Sequence, residues 1–197
     1  MIKLVFSLLT VLSFGSYAQM KLTPLGLKFT NGNKDYNVIT FEDKNSKEIF
    51  DMVNKYFISR TNNEFEIQNK IDGEILSITS TVKNAVFFKQ LGFTSAYNMT
   101  YNWTFEFKDE KLKVNTPVIT RMHNKENSGN NRDLYLFISK DLKTEKPSSQ
   151  FCVGCTMYIF KDNGNLKLEN ALNSIEAFFN KKLSEISKIE SIKGSDW

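Results

Sequence analysis

Two cysteines, Cys152 and Cys155, form the one local motif of the chain that has a known chemical use. Their C-x-x-C spacing is that of thiol–disulfide enzymes, in which a helix N-terminus lowers the pKa of the first thiol. Here residues 156–160 follow, and their β-branched and aromatic side chains predict a strand instead of a helix. The motif therefore lacks the sequence context of a redox site.

Other residues with reactive or ligating side chains do not combine into a site. His123 is the only histidine, and it has no partner at helical or hairpin spacing for metal binding or for activating a nucleophile. Residues 162–165 resemble the start of a calcium loop, but Lys161 occupies a ligand position, so a turn is predicted. We predict no catalytic residue, no metal ligand and no cofactor, and therefore a protein that is not an enzyme.

The N-terminus has the pattern of a secretory signal. Lys3 gives a positive head, residues 4–14 are apolar, and small residues stand at positions 16 and 18. We predict that residues 1–18 are a signal peptide cleaved before Gln19, which places the mature chain in the periplasm or outside the cell with no transmembrane span. In that oxidising compartment we predict a disulfide between Cys152 and Cys155.

The charge balance does not favour a nucleic-acid partner. The formal net charge is +4, and removal of Lys3 with the signal lowers it to about +3. Charges of both signs alternate in segments such as 108–111 and 143–146 and predict solvated turns. We therefore predict no nucleic-acid partner.

The best-defined elements lie between residues 36 and 82. Residues 36–41 predict a strand, and Asn45 with Glu48 predicts a capping box at the start of a helix. The helix should turn one apolar face to the core, composed of Ile49, Phe50, Val53, Tyr56 and Phe57. Residues 65–71 and 75–82 then predict two strands joined by a two-residue turn at Asp72-Gly73.

A strict alternation of large apolar and polar residues over 97–107 predicts a long, half-buried antiparallel strand. Residues 112–118 continue the alternation as its partner, with Pro117 at an edge or a bulge. Residues 84–96 allow no assignment, and 134–138 form a short apolar run of uncertain type. A final helix is predicted over 168–189, with Leu172, Ile175, Phe179, Leu183 and Ile186 on its core face.

Together these elements predict an α+β fold in the order strand-helix-strand-strand-strand-strand-helix. About five antiparallel strands would form one sheet with two helices packed on one face. The predicted organisation is a signal peptide (1–18), a lead-in segment (19–35), a single domain (36–189) with an insertion at about 123–156, and a frayed tail (190–197).

This order of elements, with residues 38–41 running into 45–50, resembles a family of Bacteroidota envelope proteins that carry a domain of unknown function with a TATA-binding-protein-like fold. The resemblance covers about 36–122 and the final helix, and residues 123–156 depart from it. No activity or functional residue is implied by it. Nor does the likeness to a DNA-binding fold imply DNA binding.

If the odd-numbered side chains of 97–107 face the helices, the opposite face of the sheet is polar. That predicted open face consists of Ser77, Thr79, Thr81, Asn98, Thr100, Asn102 and Thr104. Hydroxyls and amides do not provide the apolar wedges and basic residues of a DNA-kinking saddle. We expect a non-enzymatic envelope module that binds a protein, glycan or small molecule there. The alternatives are a thiol–disulfide oxidoreductase using Cys152 and Cys155, and a structural assembly partner of envelope proteins.

Overall fold

The structure is a computed structural model, and it describes residues 18–59, 65–90, 93–125, 133–142 and 156–189. Within them, one sheet of eight strands carries two helices, and a separate two-stranded hairpin precedes them. The elements are β1 (Met20–Thr23), β2 (Gly26–Phe29), β3 (Tyr36–Thr40), α1 (Ser46–Ser59), β4 (Phe65–Ile71), β5 (Ile75–Gln90), β6 (Phe93–Lys108), β7 (Lys111–Asn115), β8 (Val118–Lys125), β9 (Asp133–Phe137), β10 (Thr156–Tyr158) and α2 (Glu169–Ser187).

The main path of the sheet runs β10-β9-β8-β6-β5-β4, while β7 also pairs with β6 and β3 pairs with β7. All pairs are antiparallel except β10 with β9, which is parallel. The α+β class is confirmed, but the prediction of about five antiparallel strands is wrong. β9 and β10 are too short to show a period, and a parallel partner is not marked by a local turn.

Both helices pack on the same face of the sheet, as predicted. Tyr101 and Trp103 of β6 are buried, and the ring of Phe179 in α2 lies 5.0 and 5.9 Å from their rings, centroid to centroid. Phe57 of α1 meets Phe105 at 5.3 Å. The buried helix residues are Ile49, Phe50, Val53, Tyr56 and Phe57 in α1 and Ala171, Ile175, Phe179, Leu183 and Ile186 in α2.

The start of α1 is the predicted capping box. The side chain of Asn45 accepts the backbone N–H of Glu48, and the Glu48 carboxylate accepts the N–H of Asn45, both at 2.9 Å. The turn between β4 and β5 differs from the prediction, because Ile71 pairs directly with Ile75 and three residues connect them. Gly73 alone among those three has a positive φ, +76°. A register shift in the same strand pair, between Ile67 and Asn69, marks a bulge in β4.

In the segment without an assignment, residues 84–90 and 93–96 extend the two central strands. β5 continues past Val82 because a bulge, with Asn84 at φ +52°, restores the inward direction at Val86. The pairing then resumes from Val86 opposite Tyr97 to the end of β5. This irregularity interrupts the period of two, which is why the alternation stops being readable at Val82.

Pro117 breaks the strand predicted over 112–118 into two, whereas a single strand with Pro117 at an edge or a bulge was predicted. β7 pairs with the end of β6 and β8 with its middle, and residues 116–117 separate them. Side chains supply hydrogen bonds at this break: Trp103 Nε1 donates to the carbonyl of Asn115 at 2.7 Å, and Asn115 Nδ2 donates to the carbonyl of Thr104 at 3.3 Å. Beyond the break, β7 continues with β3 while β8 continues with β9.

The segment predicted as an extended lead-in contains the β1–β2 hairpin, which packs against α2. The Asn180 side chain binds both backbone groups of Met20, accepting from its N–H at 2.7 Å and donating to its carbonyl at 2.9 Å. Glu176 accepts the N–H of Leu22 at 2.7 Å. These two side chains of α2 thus satisfy backbone groups on the edge of β1 that does not pair with β2.

Near the C-terminus, residues 161–165 form the predicted turn. Gly164 has φ +78°, and the N–H of Lys161 donates to the carbonyl of Asn165 at 2.8 Å. The final helix begins and ends slightly inside the predicted limits. The predicted signal peptide, apart from Ala18, and the predicted frayed tail at 190–197 lie outside the described residues.

Candidate binding face

The structure brings the seven predicted polar residues together on the sheet face opposite the helices. Three of them lie on β5 and four on β6, and the register sets them in cross-strand pairs. We call this surface the open face, and its paired rows are Ser77 with Thr104, Thr79 with Asn102 and Thr81 with Thr100, followed by Asn98.

Hydrogen bonds join each pair across the strands. The hydroxyls of Ser77 and Thr104 lie 3.0 Å apart, and the first member of the next row, Thr79, donates to Asn102 Oδ1 at 2.7 Å. In the third row the two threonine hydroxyls lie 2.9 Å apart. These bonds hold the side chains in fixed rotamers, so a ligand that replaces water here meets an ordered array of polar groups.

The residues of the open face differ in their solvent exposure and in the hydrogen-bonding groups that they present to a ligand. Thr81 and Asn102 are exposed, whereas the other five residues are half-buried. The side-chain oxygen of Asn102 already accepts a hydrogen bond from Thr79. The Nδ2–H groups of Asn102 are therefore the ones that would donate to a ligand. Asn98 is committed to the fold, since its Oδ1 accepts the N–H of Asn84 in the β5 bulge at 3.0 Å.

On one side, β8 and β9 add a cation and an aromatic ring to the same face. Arg121 stands opposite Thr100, and His123 stands opposite Asn98 on one side and Tyr135 on the other. The guanidinium carbon of Arg121 lies 5.9 Å from the centre of the Tyr135 ring. Sequence reasoning missed Arg121, because its place on this face follows from the pairing of β8 with β6.

The face ends at β10 in stacked aromatic side chains. Phe137 lies between Tyr135 and Tyr158, at centroid distances of 6.4 and 5.8 Å, with interplanar angles of 14° and 30°. Phe137 is buried, while the two tyrosines are half-buried. Flat rings beside hydroxyl and amide groups can bind a ligand that has both apolar and polar surfaces.

On the other side, β6 and β7 supply a charged pair and β3 an aromatic ring. Lys113 Nζ lies 2.8 Å from the Glu106 carboxylate, which also accepts from Asn115 Nδ2 at 3.0 Å. The hydrogen bond from Lys113, followed by that from Asn115, lowers the pKa of Glu106. Lys113 also lies 5.1 Å from the centre of the Tyr36 ring, and Tyr36 is 41% exposed. The open face is thus bordered by paired charges and partly exposed apolar side chains.

The polar side chains of the open face are hydrogen-bonded to one another. Its hydroxyls are hydrogen-bonded to other hydroxyls or to an amide, and none of these rows places a carboxylate or imidazole on a hydroxyl to activate it. In the part of the chain that the structure describes, no three His, Cys, Asp or Glu residues are grouped as metal ligands. The predicted disulfide pair, Cys152 and Cys155, lies outside the described residues. No helix in the described ranges has the length and apolar character to cross a membrane.

Comparisons with known proteins give two similar solved structures. One is a TBP-like protein from Parabacteroides distasonis, 12% identical, with a TM-score of 0.46 over 78% of this chain and 90% of that chain. The other is a DUF4468 family protein from Bacteroides ovatus, 12% identical, with a TM-score of 0.43 over 82% of this chain and 85% of that chain. No protein-family model matches the sequence, and no curated protein matches it significantly. The two structures are of the kind that the sequence resemblance names, but at TM-scores below 0.5 they carry no weight in the functional argument.

Proposed function

We propose that this protein is an exported, non-enzymatic module of the cell envelope that binds a protein, glycan or small molecule through its open face. One observation carries the proposal: both helices pack on one side of the sheet, while ordered polar pairs occupy the other. The three rows hold their hydroxyls and amides in order before a ligand arrives, which lowers the entropy cost of binding.

The composition of the face supports binding over a merely solvated surface. The centre of this face has short Ser, Thr and Asn side chains. Ordering such short side chains on binding costs little conformational entropy. Export is supported by the pattern of residues 1–18, and the disulfide and the two alternative functions stay predictions.

The test is a matched pair of arginine substitutions. Asn102→Arg places a bulky cation at the centre of the open face, and Asn173→Arg places the same side chain on the exposed surface of α2. Binding of the purified chain to immobilised envelope glycans and to envelope protein fractions would be measured by biolayer interferometry. We expect Asn102→Arg to reduce binding at least tenfold and Asn173→Arg to leave it within twofold.

Hydrogen exchange of the complex then locates the contact. We expect added protection in β5, β6 and β8, since these strands form the face. Equal loss of binding in both variants, or protection confined to the helices, would contradict the proposal. So would catalytic turnover of a bound compound that a single substitution on the open face abolishes.

A further inference from the structure

The break at Pro117 opens a cavity, and none of the seven residues of the open face lines it. β7 pairs with β3, and β8 pairs with β9. These two pairs of strands diverge from each other at the break. The turn of the β1–β2 hairpin lies beside the divergence and lines the same space. We call this space the fork cleft. Its volume is about 430 Å³, within the usual range for small-molecule sites.

The walls of the fork cleft are mainly apolar and include two unusually exposed side chains. Leu25 and Val118 line it and are 70% and 62% exposed, the highest values among the large hydrophobic residues that the structure describes. Buried Leu27 lies behind them. Leu25 and Val118 lie on different elements around one cavity, so a molecule bound in the cleft would remove apolar surface of both from water.

The polar edge of the cleft favours a hydrogen-bond donor. Asp35 lies on this edge, and its carbonyl accepts the N–H of Thr116 at 2.7 Å, which joins β3 to the break. The Asp35 carboxylate pairs with Lys28, but its side chain is 71% exposed whereas that of Lys28 is 21% exposed. An incoming molecule therefore meets the carboxylate, which accepts hydrogen bonds, before it meets the ammonium group.

We propose that the fork cleft binds a small, mainly apolar molecule that carries an amine or hydroxyl donor at one end. The apolar body covers Leu25 and Val118, and the donor faces Asp35. None of the seven residues of the open face lines this site, and Val118 pairs with Asn102 where the two surfaces adjoin. The proposal does not depend on the function proposed for the open face.

The test uses N-phenyl-1-naphthylamine, an apolar arylamine with one N–H donor whose fluorescence rises on leaving water. Titration into the purified exported chain should show saturable binding with one site per chain. Leu25→Gln should raise the dissociation constant about fivefold, because an apolar side chain of the cleft becomes polar. Ile58→Gln, at a residue of α1 that is 53% exposed, is the matched control and should leave the constant unchanged.

Two further variants make the result decisive. Val118→Gln should also weaken binding, which tests the opposite wall if Leu25→Gln lowers the melting temperature. Thr81→Arg, at an exposed residue of the open face in a row that pairs with no residue of the cleft, should leave probe binding intact. The proposal is overturned by the absence of saturable binding, by equal effects of the Leu25 and Ile58 substitutions, or by loss of probe binding in Thr81→Arg.

Discussion

Replacement of Asn180 by alanine tests whether the N-terminal hairpin is held by side chains of α2. The change removes both hydrogen bonds to Met20, at 2.7 and 2.9 Å. Each such bond contributes about 1 kcal/mol net. Alanine also favours the helix over asparagine by about 0.5 kcal/mol, which offsets part of the loss. We therefore expect the free energy of unfolding to fall by about 1.5 kcal/mol.

Urea denaturation followed by circular dichroism measures this change, and an unchanged m-value would show that both variants unfold from the same compact state. Asn173→Ala is the control, because it lies on the same helix with an exposed side chain and changes only helix propensity. It should stabilise the protein by about 0.5 kcal/mol. The two variants should thus differ by about 2 kcal/mol.

Hydrogen exchange adds a local measurement. The amides of Met20 and Leu22 should exchange faster in Asn180→Ala, while those of β6 should keep their protection relative to global unfolding. The reasoning is refuted if Asn180→Ala and Asn173→Ala change stability equally, or if the Met20 amide exchanges as fast in the wild type as in the variant.

Two further predictions concern β6 and β7. Trp103→Phe should lower the free energy of unfolding by about 1–3 kcal/mol, because the half-buried Asn115 loses the donor to its carbonyl; an unchanged urea midpoint would contradict this. For Glu106, the lowered pKa means that its pairing with Lys113 contributes stability above the ordinary carboxyl pKa, and this contribution is lost as the pH falls through the folded-state pKa. Because the side chains of Lys113 and Glu106 are 36% and 41% exposed, the loss should be below about 1 kcal/mol. In urea titrations from pH 7 to pH 3, the free energy of unfolding should decline less for Glu106→Gln than for the wild type.

The sequence predicts those elements whose period persists over several residues. The stripe of α1, its capping box and the alternation of β6 each depend on neighbours along the chain, and the structure confirms all three. The same alternation places the seven residues of the open face on one side of the sheet. Side-chain direction in a strand follows from parity alone, so it needs no knowledge of the partner strand.

Features that depend on distant residues could not be predicted in this way. The β1–β2 hairpin has strands of only four residues, and it is completed by Asn180 and Glu176, more than 150 positions away. The parallel pairing of β10 with β9 has no local signal. Arg121 and Tyr135 lie on the open face because β8 pairs with β6 and β9 pairs with β8. The composition of these strands does not predict that pairing.

The bulge in β4 has a consequence for self-association. This strand forms one outer edge of the sheet, where unsatisfied backbone groups are a template for adding a strand from another molecule. The displaced register at Ile67 and Asn69 breaks the even spacing that such an intruder would need, and Glu66 and Lys70 place charges on either side of it. This edge of the sheet is therefore a poor template for a strand from another molecule.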